Sequence, residues 1–225
     1  RSDAGKTIHN PFVENLIVDA FSTEIGGEVY LQKEGLFAMV GATNGTINSS
    51  INRQRADAEG NAKKYPAFYV KGGIDKEVGE ARVRLTGSAY INNRSQRNVL
   101  YAGDRAGSWY WAALEPAMTN GAATSMTSNF TTGRFSPNFT RNVQAVMLKG
   151  FAKLGGLEVF GTYEVAKGNA GSAADPAKGL PADIADRKMN QTAIEGIYRL
   201  GKKENLYIAG RYNTVKADML GLADP

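Results

Sequence analysis

Apolar and polar residues alternate along several stretches of this chain, and a short polar turn interrupts each stretch. In residues 194–213 the apolar positions alternate with Glu195, Arg199 and Arg211, on either side of a turn at residues 201–205. Successive side chains of a β-strand point to opposite faces, so each run separates its apolar residues from its charged ones. The pattern predicts an antiparallel hairpin with one apolar and one charged side.

Three further stretches show the same pattern. They cover residues 24–43, 68–93 and 143–166, with polar turns predicted at residues 32–35, 75–80 and 153–156. Four hairpins, and hence eight strands, are therefore predicted. Residues 12–21 follow neither a helical nor a strand period, and both a short helix in a loop and a poorly patterned strand stay open there.

Long polar segments connect the hairpins, in contrast to the short turns inside them. They cover about residues 44–64, 93–142 and 167–188. Short turns at one end and long loops at the other are typical of outer-membrane barrels, whereas a soluble β-sandwich more often has loops of mixed length. We predict one all-β domain over residues 1–225, an antiparallel up-and-down transmembrane β-barrel. Both chain ends lie on the long-loop side, so we expect an internal portion of a larger barrel.

Composition argues against several kinds of site. The chain has no cysteine and a single histidine, His9, which argues against a disulfide framework, a thiolate metal site and a histidine-based triad. Lysine and arginine are spread along the chain despite the net charge of +5, so nucleic acid is not an expected partner. No apolar run reaches the ~18 residues of a transmembrane helix, whereas about 9–11 alternating residues suffice for a barrel strand. No metal, cofactor or enzymatic activity is predicted.

The charges on the polar sides of the strands are the candidate functional residues, because a pore selects solutes by its width and its lining charges. The predicted lumen-lining residues are Glu24, Glu28, Lys71, Arg82, Arg84, Lys149, Glu158, Glu164, Glu195, Arg199 and Arg211. The second hairpin is basic at these positions and the first and third are mainly acidic, which predicts a transverse field across the lumen. The alternative interpretation is that these side chains are solvated or paired with cross-strand neighbours.

Aromatic residues form a second candidate feature. Trp109, Tyr110 and Trp111 lie together in the longest predicted loop, where they could stack on a sugar, form a constriction or anchor the loop at a membrane interface. We favour anchoring or loop packing. On the apolar side of the strands, Tyr163, Tyr198 and Tyr212 fit an aromatic girdle.

The paired strands STEIGGEVYLQKEGLFAMVGATNG and YRLGKKENLYIAGRYN resemble those of Gram-negative outer-membrane porins. In style they are similar to Bacteroidota-type porins related to the phosphate-selective porins. The resemblance covers roughly residues 23–214 and rests on pattern, so it assigns no functional residue. It implies a water-filled channel for small solutes in the outer membrane, often as a homotrimer.

The leading functional prediction is therefore a porin-like channel that passes small hydrophilic solutes by diffusion through the lipid bilayer of the bacterial outer membrane. The net charge of +5 favours a weak preference for anions. Two alternatives stay open at this point. One is a non-conducting barrel subunit that scaffolds a larger outer-membrane complex, and the other is a soluble all-β carbohydrate-binding domain.

Overall fold

The computed structural model describes residues 24–45, 65–95, 98, 100–101, 118–119, 122–123, 137–201 and 204–220. Over these residues the chain is all-β, and the one helical segment is a 3-10 turn at Pro176–Lys178. The strands are β1 (Gly26–Lys33), β2 (Leu36–Thr43), β3 (Ala67–Val78), β4 (Ala81–Asn92), β5 (Met118–Thr119), β6 (Ala122–Ala123), β7 (Asn142–Leu154), β8 (Leu157–Asn169), β9 (Arg187–Leu200) and β10 (Leu206–Ala217).

Eight of these strands form one antiparallel up-and-down sheet. Their order is β1-β2-β3-β4-β7-β8-β9-β10, so each long strand pairs with its neighbour in the chain. β5 and β6 form a separate two-stranded ladder. The predicted all-β, up-and-down class is confirmed, and the sheet is open, with β1 and β10 at its edges.

The turns within the first three hairpins have two residues and are shorter than predicted, whereas the turn of the fourth lies at residues 201–205 as predicted. Two residues connect β1 to β2, and both have positive φ, 51° at Glu34 and 79° at Gly35, as a tight hairpin turn requires. The predicted turn at residues 75–80 is wrong, because β3 continues to Val78 and only Gly79 and Glu80 lie between the strands. We call this end of the sheet the turn end, and the opposite end, at Thr43, the loop end.

The long connections also differ in detail from the prediction. β7 begins at Asn142, β8 ends at Asn169 and β9 begins at Arg187, so strands extend into the predicted loops 93–142 and 167–188. The β5–β6 ladder lies within the first of these. Residues 12–21, the Trp109–Trp111 patch and most of residues 44–64 lie outside the described residues.

The strand register sorts the side chains onto two different faces. One, the apolar face, carries exposed large side chains on each of the eight strands of this sheet, such as Val40 at 57%, Leu148 at 56% and Ile208 at 68% exposed. The predicted girdle residues Tyr163, Tyr198 and Tyr212 are on this face. A broad groove crosses it where Gly72, Gly87, Gly150 and Gly161 replace larger side chains.

The other side, the polar face, contains the packed core. At the loop end, the chain segments before β7 fold onto this face and bury a small apolar cluster. Its members are Tyr101, Phe139, Val143, Ala145, Ala166 and Met189. Apolar residues therefore cover part of the polar face, while the large side chains of the apolar face stay exposed.

Candidate functional site: the polar face of the sheet

The predicted lumen-lining residues share one face of the sheet. The register aligns Lys71 with Ser88, Met147 and Glu164, and Arg84 with Glu195 and Arg211 through β7 and β8. The same alternation places Glu28, Arg82, Lys149, Glu158 and Arg199 on this face. Glu24 precedes β1, and its carboxylate accepts a hydrogen bond from Tyr90 on the polar face.

At the turn end, Asp75 is the acidic partner of the two arginines of the second hairpin. Nε and Nη2 of Arg82 each donate to an oxygen of Asp75 at 2.9 Å, and Nη1 of Arg84 lies 4.0 Å from Oδ2. Arg84 also lies over the ring of Phe37, 5.6 Å from its centroid. The prediction that this hairpin is purely basic is wrong, because Asp75 belongs to β3 and not to the turn.

Ion pairs continue across the third and fourth hairpins. Oε1 of Glu158 lies 3.2 Å from Nζ of Lys153 and 3.1 Å from Nε of Arg199. Nη1 of Arg211 lies 3.4 Å from Oε2 of Glu195. Each of these charges has a cross-strand partner of opposite sign, as the alternative interpretation of the polar side described. These pairs are partly buried, with Glu158 12% exposed, and they set the local charge balance of the polar face.

Near the loop end, tyrosine hydroxyls donate to the carboxylates of the polar face. Tyr69 donates to Oε2 of Glu28 at 2.9 Å and Tyr90 to Oε1 of Glu24 at 2.7 Å. Gly41 lies between Tyr69 and Glu28 in the same row, and a Cβ there would lie 2.2 Å from Cζ of Tyr69. The absence of a side chain at Gly41 is therefore what lets Tyr69 reach across β2.

A third tyrosine holds the buried carboxylate of Glu164. The hydroxyl of Tyr101 donates to Oε1 of Glu164, and the side-chain amide of Gln191 donates to Oε2. Tyr101 is 2% exposed. This burial, together with the adjacent Glu164 carboxylate, holds the pKa of Tyr101 well above its usual value of 10.0. Tyr101 therefore stays a neutral donor.

A buried ion pair, between Arg187 and Asp183, connects several chain segments at the loop end. Arg187, the first residue of β9, donates from Nε and Nη2 to the two oxygens of Asp183 at 3.1 and 2.7 Å. Its remaining donors reach the carbonyl oxygens of Pro137 and Asp218, at 2.8 and 3.0 Å. The guanidinium lies 5.4 Å from the centroid of the Phe139 ring. Arg187 thus connects the segment before β7, the loop before β9 and the end of β10.

Two lysines lie between these two ends. Lys71 is flanked by Met39 and Ser88, and Lys149 by Thr86 and Thr162. Within the described residues neither ammonium group has a carboxylate within ion-pair distance. The middle of the polar face therefore carries two ammonium groups without an ion-pair partner among the described residues.

Several residues of this face were not among the predicted site residues. Tyr69 and Tyr90 alternate with apolar positions and could have been assigned to the polar face from the sequence pattern alone. Tyr101 and Asp183 lie in predicted loops, where no periodic signal marks them. In the described part of the chain, no group of three metal-binding side chains comes together.

Comparisons with known proteins assign no relative. No protein-family model, curated protein or solved structure matches the chain. Among the described residues there is no helix long and apolar enough to cross a membrane. Function must therefore be argued from the two faces of the sheet.

Proposed function

We propose that the chain forms part of the wall of a porin-like β-barrel in a bacterial outer membrane, and that small hydrophilic solutes diffuse along its polar face. The observation that carries this proposal is the apolar face, which continues over eight paired strands with its large side chains exposed. Exposed apolar patches of this extent are rare on soluble monomers and mark a surface that contacts a protein or a lipid.

The position of the charges on the apolar face supports lipid as that contact. Its charged residues are all lysines near the two ends of the strands. They are Lys33 and Lys76 towards the turn end, and Lys167, Lys188 and Lys216 towards the loop end. A lysine near a membrane boundary can extend its ammonium group to water while its methylene chain stays in the apolar layer.

The height of the uncharged region also suits a bilayer. On β4 the apolar face carries no charge from Ala81 to Ile91, which are the first and last residues of that face on this strand. Eleven residues rise about 33 Å, which corresponds to about 25 Å at a tilt of ~40°, the height of the apolar band of an outer-membrane barrel. β3, β7, β8, β9 and β10 have 12 to 14 residues each.

A second candidate, a non-conducting barrel subunit that scaffolds a larger complex, is favoured by one observation. At the loop end, Tyr101 and Phe139 cover part of the polar face and bury Val143 and Met189 beneath them. A lumen narrowed in this way could be closed. A homotrimer or a larger outer-membrane assembly is compatible with either candidate.

A pair of adjacent substitutions tests the membrane assignment. Ile194 and Ala193 are consecutive in β9 and lie on the apolar and polar faces, respectively. For the chain folded in phospholipid vesicles, Ile194→Arg should lower the free energy of unfolding by about 2–4 kcal/mol, because it places a charge in the hydrocarbon. Ala193→Arg, the matched control, should change it by less than about 1 kcal/mol. Guanidinium unfolding in vesicles measures both, and equal effects would contradict a lipid-facing surface.

A conductance measurement distinguishes the porin-like channel from the non-conducting barrel subunit. The full chain is added to a planar bilayer after refolding in detergent, and discrete current steps are expected. Insertion into vesicles without any current steps would favour the non-conducting subunit. A chain that stays monodisperse in buffer without detergent would contradict both membrane candidates and favour the soluble carbohydrate-binding domain.

A further inference from the structure

A cavity of ≈ 220 Å³ lies on the polar face, beneath the segment that contains Leu100 and Tyr101. The cavity is separate from the ion pairs of the turn end and from the buried pair of Arg187 and Asp183. Its walls include Met39, Met147 and the rings of three tyrosines, Tyr69, Tyr90 and Tyr101. Lys71, Ser88 and Glu164 complete the polar part of the lining.

The hydroxyl groups of the three tyrosines are bonded to carboxylates. Tyr69 donates to Glu28, Tyr90 to Glu24 and Tyr101 to Glu164. Tyr90 also accepts hydrogen bonds from the amides of Asn92 and Asn98, at 3.3 and 2.9 Å. The rings are therefore the parts of these residues that a ligand would meet, and together with the methionines they form an apolar wall.

The two charged groups of the lining, Glu164 and Lys71, differ in whether they already have hydrogen-bond partners. Both oxygens of Glu164 accept hydrogen bonds, from Tyr101 and Gln191, and the residue is 2% exposed. Lys71 has no hydrogen bond or ion pair with any residue of the described sheet, and the hydroxyl of Ser88 lies opposite it on β4. An ammonium and a hydroxyl in an apolar wall favour a ligand with one anionic group.

We propose that this cavity binds a small monocarboxylate with an apolar body, with Lys71 as the counter-ion and the tyrosine rings and methionines around the body. The size agrees with a single ring, since an apolar cavity of about 150 Å³ is known to accept benzene. The remaining volume accommodates the carboxylate group beside Lys71. The site depends on the described fold alone and does not require the barrel to conduct.

Benzoate is the probe that matches this site. We expect saturable binding of benzoate to the full chain in detergent micelles, measured by isothermal titration calorimetry. Benzyl alcohol, which keeps the ring without the charge, and acetate, which keeps the charge without the ring, should bind at least about tenfold more weakly. Acetate binding as tightly as benzoate would overturn the proposal, because it would indicate a simple anion site.

Two lysine substitutions test where benzoate binds. Lys71→Met removes the ammonium group but keeps an unbranched apolar side chain, and should weaken benzoate binding about tenfold or more. Lys149→Met, the matched control, removes a lysine one row away that is not part of the cavity lining, and should leave the affinity unchanged. Both variants lose one lysine and are measured in the same micelles, so the partitioning of benzoate into detergent cancels when their affinities are compared. Equal affinities in the two variants would contradict the role of Lys71.

A cavity-filling variant tests the apolar wall independently. Ser88→Leu adds three carbon atoms inside the cavity and should abolish benzoate binding while circular dichroism still shows a β-sheet. Unchanged binding in a folded Ser88→Leu variant would overturn the proposed location. Binding is measured in micelles and conductance in a planar bilayer. A chain that binds no benzoate can still conduct, and a chain that does not conduct can still bind benzoate, so the two proposals fail separately.

Discussion

Two Arg–Asp pairs lie at opposite ends of the polar face and have similar geometry. At the loop end Arg187 binds both oxygens of Asp183, at 3.1 and 2.7 Å. At the turn end Arg82 binds both oxygens of Asp75, at 2.9 Å each. Their surroundings differ, because the side chains are 12% and 0% exposed in the first pair and 55% and 24% in the second.

Because the bond geometry is similar, burial is what distinguishes the two pairs, and we expect it to set how much each contributes to stability. A buried pair is expensive to break, because removing one partner leaves a charge without compensation. An exposed pair exchanges its bonds for bonds to water and is screened by salt. We therefore expect the buried pair of the loop end to contribute more to stability than the pair of the turn end, whose charges are exposed to solvent.

The largest expected effect comes from breaking the buried pair. Asp183→Asn removes the negative charge but keeps the shape of the side chain, which leaves Arg187 partly buried without a counter-charge. We expect the free energy of unfolding to fall by about 3 kcal/mol. Guanidinium unfolding in vesicles measures the change.

The double variant Asp183→Asn with Arg187→Met is the control for this experiment. It removes both charges and should recover part of the loss, because no charge is then left alone. If Asp183→Asn by itself cost no more than an exposed substitution, the contrast between the two ends would be contradicted.

The second largest effect on stability is expected from two hydrogen bonds between a tyrosine and a carboxylate, one buried and one exposed. Tyr101→Phe removes a donor from the buried Glu164 and should lower the free energy of unfolding by about 1–3 kcal/mol. Tyr69→Phe removes the donor of an exposed bond to Glu28, and should cost less than about 1 kcal/mol. Equal losses in the same vesicle assay would show that burial does not distinguish them.

The dependence of the free energy of unfolding on pH also tests the hydroxyl group of Tyr101. The pKa of Tyr101 is raised in the folded chain by burial and by Glu164, from 10.0. A folded-state pKa above the unfolded one gives a stabilisation that is complete below pH 10 and is lost as the pH rises through the folded pKa. Wild type should therefore lose more stability between about pH 10 and pH 12 than Tyr101→Phe does.

Smaller effects are expected in the middle of the polar face. Lys149 has threonines on both neighbouring strands and no carboxylate partner within the described sheet. If the polar face lines a conducting lumen, Lys149→Gln should lower the ratio of anion to cation permeability about two- to fivefold. The reversal potential across a salt gradient measures this ratio. A shift towards anions would contradict a lysine exposed to the permeating ions.

The alternation in the sequence was sufficient to predict the hairpins and the faces. It placed Lys71, Glu158 and Arg211 on one side of the sheet, because a strand period of two leaves no other choice once the strand is recognised. The short turns fixed the pairing within each hairpin, since strands joined by such a turn lie side by side and antiparallel. The pairing of β2 with β3, β4 with β7 and β8 with β9 crosses long connections and rested on the up-and-down pattern predicted for the whole chain.

The pairing of the charges could not be predicted in the same way. A turn assigned to residues 75–80 removed Asp75 from the polar face, and with it the partner of Arg82 and Arg84. Tyr101 and Asp183 lie outside the strands and reach Glu164 and Arg187 through long-range packing. Such contacts depend on how a loop folds over the sheet, which no local period in the sequence records.

The smallest effect is expected from Asp75→Asn at the turn end. Because the pair with Arg82 is exposed, the midpoint of guanidinium unfolding should stay within experimental error of wild type. The substitution nevertheless leaves Arg82 and Arg84 without their shared counter-charge. If the polar face lines a conducting lumen, anion preference should therefore rise slightly, and the rise should disappear at 1 M salt, where charges are screened within about 3 Å. A stability loss as large as that of Asp183→Asn would show that the two ends of the polar face are held together in the same way.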